Sequence, residues 1–333
     1  MKKIFYTAVI TVYVFLLSAE INAQPVIQRL EDDHFKITMQ NLDSDSIRIL
    51  QVTDLHLGSR GHWRDDLRTY NRIKRLVKMY DPNFIFITGD LFTGEKPYGS
   101  LLAAYAVHFF DELNRPWFYV FGNHDPQGGF GHDDIYNVFK TSEWGVLGYH
   151  GSDELKKYDY YVDVIIGDDK TPNWQVYAFD TGPHNGIKAV QPDQIEWYEN
   201  ISKQTKEKYN NTIRAISIFH IPLIQYQYLW NDDSIEKGGV SLEKVSYEKD
   251  DGTLYKIFVE MGNVKATFCG HDHYNNYWGK YTGGIILAYG YISGESTNEA
   301  WPTGGKLISL PIGKGKIGIR NVVPVFDKNE YQY

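Results

Sequence analysis

The chain has 333 residues, 42% hydrophobic and 23% charged, a globular balance with enough length for one large α/β domain or two small ones. Its formal net charge is −8 and it carries no long basic run, which argues against a phosphate-neutralising nucleic-acid surface. A single cysteine, Cys269, excludes an intramolecular disulfide, so stability has to come from the core or from bound metal.

The chain opens with Lys2 and Lys3, an apolar run from Ile4 to Leu17, and then the small residues of "INA". That pattern predicts a signal peptide over residues 1–23, cut after Ala23, and leaves 24–333 as one catalytic domain. The run is short for a membrane span and no later stretch approaches spanning length, so an exported protein without a transmembrane domain is expected, in a periplasm, the medium or a vesicular lumen, with an uncleaved anchor as the alternative. Seven apolar runs rich in β-branched and aromatic residues read as buried strands: 47–53, 84–89, 116–122, 174–180, 213–220, 265–270 and 284–290. Between the first two, residues 65–79 place Leu67, Ile73, Leu76 and Val77 at near-helical spacing behind Asp65 and Asp66. Stretches near 97–113 and over 191–208 look alike, and 306–326 alternates around Gly313 and Gly315 as a hairpin would. The order starts β-α-β-α-β and becomes strand-rich, which suits two packed β-sheets with helices outside, an α/β (α+β) architecture.

Chemistry gathers where the strands end. Asp54 and His56 follow the first, Asp90 the second, and Asn123, His124 and Asp125 the third; His220 follows the fifth, and His271 and His273 the sixth. Carboxyl ends of strands are where α/β sheets place ligands. Singly, each fragment has a plainer reading: Gly-Asp is a turn pair, and a lone His220 is a rim histidine. His271 and His273 can face one site only because residues two apart in an extended segment point the same way. The conjunction of all five is the specific signal.

The series "DLH…GD…GNHD…H…GHDH" resembles the calcineurin-type metallophosphoesterases, and within them the small purple-acid-phosphatase-like proteins, over residues 54 to 273. The resemblance implies a four-layer αββα sandwich with a dinuclear metal centre at its rim. It implies that Asp54, His56 and His273 bind one ion, that Asn123, His220 and His271 bind the other, and that Asp90 bridges them. It makes His124 the histidine that faces the substrate and Asp125 its orienting carboxylate. The residue three beyond Asp90 is Thr93, where coloured purple acid phosphatases place an iron-ligating tyrosine.

Asp, Asn and His donors suit Fe, Zn or Mn better than Ca. Two such ions leave the site positive within an acidic protein, and draw in a small phosphorylated substrate. The expected chemistry is attack of hydroxide on phosphorus, with His124 protonating the leaving oxygen or holding the phosphoryl oxygen until it leaves, in a secreted phosphomonoesterase. The alternatives are a phosphodiesterase or nucleotidase of the same fold, or a silent metal-bearing binder; a structural zinc site is disfavoured by the single cysteine. Tyr274, Tyr277 and Trp278 are potential pocket walls, with packing the simpler role. His62, His132 and His184 sit in loops able to approach the site, although 179–186 reads equally as a plain turn. The glycine-lysine stretches near the C-terminus lack the spacing of a nucleotide-binding loop.

Overall fold

The computed structural model describes residues 24–325 apart from 41, 43, 60–61, 95–98, 153–155, 185 and 298–300. The expected signal peptide lies outside the described residues. Among them, no helix is long and apolar enough to cross a membrane.

In chain order the first third contains β1 (Val26–Arg29), β2 (His34–Met39), β3 (Ser46–Val52), α1 (Trp63–Tyr80), β4 (Phe84–Thr88), α2 (Gly99–Asp111) and β5 (Trp117–Val120). There follow α3 (His132–Phe139), β6 (Gly145–Val146), β7 (Tyr160–Ile166), β8 (Trp174–Ala178), α4 (Pro192–Tyr209), β9 (Ala215–Ile218) and α5 (Gln225–Asn231). The last part holds β10 (Lys237–Gly238), α6 (Thr253–Met261), β11 (Val264–Cys269), β12 (Trp278–Lys280), β13 (Ile286–Tyr289), β14 (Gly305–Pro311) and β15 (Gly318–Val322). All seven predicted strands are present, and the three predicted helices are α1, α2 and α4.

The strands form two sheets. One has nine strands in the order β1-β2-β7-β8-β9-β11-β13-β12-β10, the other six in the order β15-β14-β3-β4-β5-β6. Parallel pairing runs through β3-β4-β5-β6 in the smaller sheet and β8-β9-β11-β13 in the larger, while the β14-β15 hairpin adds to β3 antiparallel.

Side-chain alternation sorts the layers. On the larger sheet Val176, Ala178, Ile216, Ile218, Ala266 and Phe268 turn inward, to a core shared with β3, β4, β5 and β14 of the smaller sheet. That core continues through the smaller sheet to Ile73 and Leu76 of α1, Phe110 of α2 and Ile135 of α3. Tyr177, Cys269, Leu287 and Tyr289 point to the other side of the larger sheet, where Trp197 and Tyr198 of α4, Tyr226 of α5 and Phe258 of α6 cover them. The result is the four-layer αββα sandwich. Parallel strands buried on both faces explain why β4 reads as the unbroken run "FIFIT". Each fully buried side chain of this kind contributes about 1.5–3 kcal/mol.

The covering helices α5 and α6 start against one carboxylate. Asp250 Oδ2 accepts from Ile224 N at 2.7 Å and Gly252 N at 3.2 Å, satisfying two helix-start amides. Burial pushes its carboxyl up to about 6, against those two bonds and with help from neighbouring Asp251. A raised carboxyl stabilises the fold fully below pH 3.8, and that contribution is lost as pH rises through about 6. Asp250→Asn keeps an acceptor without the charge. It is therefore expected to raise unfolding free energy by on the order of 2 kcal/mol at pH 7 and by nothing near pH 3.5. Urea titrations at the two pH values check this, and an equal effect at both would contradict it.

Candidate metal centre

Each expected ligand strand stops just short of its ligand. Asp54, Asp90, His220 and His271 come two residues after β3, β4, β9 and β11, and Asn123 three after β5. Since β3, β4 and β5 belong to one sheet and β9 and β11 to the other, the site lies where the two carboxyl rims meet. Gln51 ties the rims: its buried Nε2 donates to Thr88 Oγ1 and to Cys269 O, both at 2.9 Å.

The backbone bends sharply here. Asp54, His56, Asp90 and His271 have φ of 54°, 47°, 46° and 80°, and are four of the eight described non-glycine residues with positive φ. Left-handed carboxylate and histidine residues concentrated at one place are strain held by the surrounding fold. The glycines of the motifs have a steric reason. A Cβ on Gly122 would fall on the Oδ1 and backbone nitrogen of Asp90, and one on Gly270 would fall on Thr53 Oγ1 and lie 2.8 Å from Asp54 Oδ2. Gly270→Ala is thus expected to cost about 1–3 kcal/mol and to lower metal content. Thermal unfolding and elemental analysis test it, and a variant that keeps both values contradicts it.

Two ligand groups result. Asp54, His56 and His273 form one, and Asp90, His220 and His271 the other, with the ligand atoms of each within 4.8 Å of one another. His56 Nε2 and His273 Nε2 approach to 3.2 Å, and His273 Nε2 is 3.5 Å from Asp54 Oδ1. Asp90 Oδ2 stands 3.2 Å from His220 Nε2 and 3.7 Å from His56 Nε2, between the groups. Asn123 is buried in the loop whose next amide, His124 N, donates to Asp90 Oδ1 at 2.8 Å.

The donors fit divalent cations. Among the described residues, the buried Nε2 of His220 and Oδ1 of Asn123 have no hydrogen-bond partner, an arrangement costly without an ion. His220 Nδ1 lies 2.8 Å from Thr88 O and donates its proton there, which makes Nε2 the nitrogen that would face a cation. Burial lowers the His56 imidazole to about 4 and that of His271 to about 3, so both are neutral donors at pH 7. Burial opposes protonation of His220 as well, yet Asp90 and Asp54 push it up to about 10. Burial likewise works against ionisation of Asp54 and Asp90, but the facing histidines win and hold both below the usual carboxylate range. The cluster thus asks for positive charge, which bound cations supply.

One expected residue, Asp125, is held differently from its motif reading. Asp125 does not orient the His124 ring: its Oδ1 accepts from Phe92 N at 2.9 Å and its Oδ2 from Gly122 N at 2.7 Å, which pins the loop to the segment after Asp90. The atom facing His124 Nδ1 is Gln127 Oε1, at 3.3 Å, and Gln127 Nε2 donates to Asn123 O at 2.8 Å. Sequence reasoning passed over Gln127, and its position three residues after His124 was the available signal. Thr93 occupies the position of the absent tyrosine, with its amide donating to Leu57 O at 3.0 Å. Of the three aromatic residues after His273, Tyr277 and Trp278 serve packing: Tyr277 is buried against Tyr289 and Trp230, and Trp278 lies under the Lys306 ammonium. Tyr274 is half-buried near Trp301, with ring centroids 6.0 Å apart. His62 instead pairs with Asp65 at the start of α1, at 2.8 Å.

A four-layer sandwich with two adjoining Asp/His groups at its rim is the architecture of a dinuclear metallophosphoesterase. The chain belongs to the calcineurin-like phosphoesterase family, whose model matches residues 47–275. It is 25% identical over 313 residues to "Probable inactive purple acid phosphatase 28" of Arabidopsis thaliana, covering 82% of this chain and 77% of that protein. It is 23% identical over 271 residues to "Phosphatase DCR2" of Saccharomyces cerevisiae, covering 72% of this chain and 46% of that one. A dimetal phosphatase from Danio rerio superposes with a TM-score of 0.59 at 11% identity, over 84% of this chain and 96% of that one, a likeness of fold.

Proposed function

We propose that this chain is an exported phosphomonoesterase acting on a small phosphorylated substrate at a dinuclear metal centre, with residues 24–333 as its single catalytic domain. Asp54, His56 and His273 hold one ion, Asn123, His220 and His271 the other, and Asp90 serves both. The observation that carries this reading is the pair of buried donor atoms that make no hydrogen bond among the described residues, His220 Nε2 and Asn123 Oδ1, the first of them 3.2 Å from a carboxylate that faces both groups. Zinc, iron or manganese ions in such a site polarise the phosphoryl oxygens and bring the pKa of water toward about 7.

The chain's own residues do the rest. His124 is half-exposed beside His56, with ring centroids 5.2 Å apart, a place from which it reaches a substrate entering from solvent. Gln127 at Nδ1 fixes the ring orientation, and Asp125 fixes the loop. His124 gives its proton to the leaving oxygen. The preference for monoesters is supported by likeness to proteins named as purple acid phosphatases, and export by the basic and apolar pattern of residues 1–23.

A silent binder is the second reading, because the plant relative is named as inactive. The complete donor set and His124 favour turnover. Metal-loaded protein assayed with p-nitrophenyl phosphate and bis(p-nitrophenyl) phosphate separates the cases. Faster monoester cleavage is expected; faster diester cleavage moves the assignment to a phosphodiesterase, and turnover of neither contradicts the enzymatic reading.

A further inference from the structure

Behind the loop of Asn123 lies a third group of donors, His132, Asp180 and His184, whose ligand atoms are again within 4.8 Å of one another. His132 opens α3, and the other two lie in the loop after β8, so the group joins separate parts of the chain. Both imidazoles turn Nε2 to one oxygen: Asp180 Oδ2 is 2.7 Å from His184 Nε2 and 3.5 Å from His132 Nε2. The rings lie nearly parallel, with centroids 4.6 Å apart. Asp180 itself is fully buried, and its Oδ1 is held by Gly182 N at 2.8 Å, which aims Oδ2 at the two rings.

A plain ion pair does not account for the arrangement. One proton on His184 satisfies its contact with Asp180, but His132 Nε2 is buried and makes no hydrogen bond among the described residues. The His132 to Asp180 distance of 3.5 Å matches the two rim groups, where facing donor atoms stand 3.2 to 3.5 Å apart, while the 2.7 Å contact of His184 is a direct hydrogen bond that an ion would open. Donors held about 2.0–2.2 Å from one ion sit roughly 3.0–3.5 Å from each other.

We propose that His132, Asp180 and His184 bind a third metal ion, of the zinc class. Two imidazoles with one carboxylate favour zinc or a similar borderline ion over magnesium or calcium. The side chains of His132 and His184 remain 16% and 13% exposed, which leaves the remaining coordination positions open to water. The ion's task is positional. Thr181, next to Asp180, accepts from His220 N at 3.2 Å and Ile221 N at 3.0 Å. His132 packs on Phe121 at 4.5 Å between ring centroids, one residue before Gly122. Closing this group therefore braces the segments that carry His220 and Asn123, without touching substrate.

The test is zinc content of the full chain after exhaustive chelation, reloading and desalting, compared between wild type and a His132→Gln/His184→Gln double variant. The expected result is one zinc fewer per chain in the variant, whatever the loading of the rim groups. Equal zinc content in the two proteins overturns the proposal. If the variant does not fold, an anomalous difference map of wild-type crystals soaked in zinc decides: a peak among the three residues supports the site, and its absence overturns it.

Discussion

Asp90→Ala is expected to empty the rim of metal and to lower turnover by at least about 10³-fold. Asp90 stands between the ligand groups, 3.2 Å from His220 Nε2 and 3.7 Å from His56 Nε2, closer to His220 than Asp54 is at 3.9 Å, while its other oxygen accepts from His124 N at 2.8 Å. Its removal takes away the shared charge and the anchor of the Asn123 loop together. It also leaves a buried His220 with one fewer anion to offset it, which costs stability as any unpaired buried charge does. Elemental analysis and kcat on the same preparation read the result. Rim stoichiometry unchanged from wild type would show that Asp90 does not serve the ions.

His124→Ala should behave in the opposite way, losing turnover while metal stays. The link from this residue to Asp90 runs through the His124 backbone amide, which alanine retains. Asp125 also holds the loop through Phe92 N and Gly122 N without help from the imidazole. On the proposed mechanism what is lost is the proton donor, a loss on the order of 10²–10³-fold in kcat. The size should depend on the leaving group. An alkyl phosphate, whose alkoxide has to be protonated, is expected to suffer the full loss, and p-nitrophenyl phosphate, with its stable phenolate, far less. Equal losses on both substrates would assign His124 to binding rather than to proton transfer.

The fold was legible where apolar runs were unbroken. The strands β3, β4, β5, β8, β9, β11 and β13 were all read, because burial on both faces leaves no polar interruption in most of them. By contrast β7, "YYVDVII", carries Asp163 in its middle, and only the structure shows that Asp163 is buried and paired with His34 at 3.1 Å and Gln175 at 2.8 Å. Helix α6 is nine residues long between two left-handed glycines, too short for its periodicity to stand out. The residues of the two candidate rim groups were legible as a conjunction, since they follow apolar strands. The neighbours that tune them were not. That Asp125 clamps the loop and Gln127 meets the imidazole depends on the turn the backbone takes after β5, of which the three-residue spacing from His124 to Gln127 is a faint sign. The same holds for Asp180, whose segment reads as a simple turn until folding sets His132 beside it.

The central claim is that two ions share Asp90 at the rim of the sandwich. The most direct measurement is an anomalous difference map of crystals of the zinc-loaded protein. Two peaks flanking Asp90 are predicted, one among Asp54, His56 and His273 and one among Asn123, His220 and His271. A single peak, or none within reach of Asp90, would contradict it.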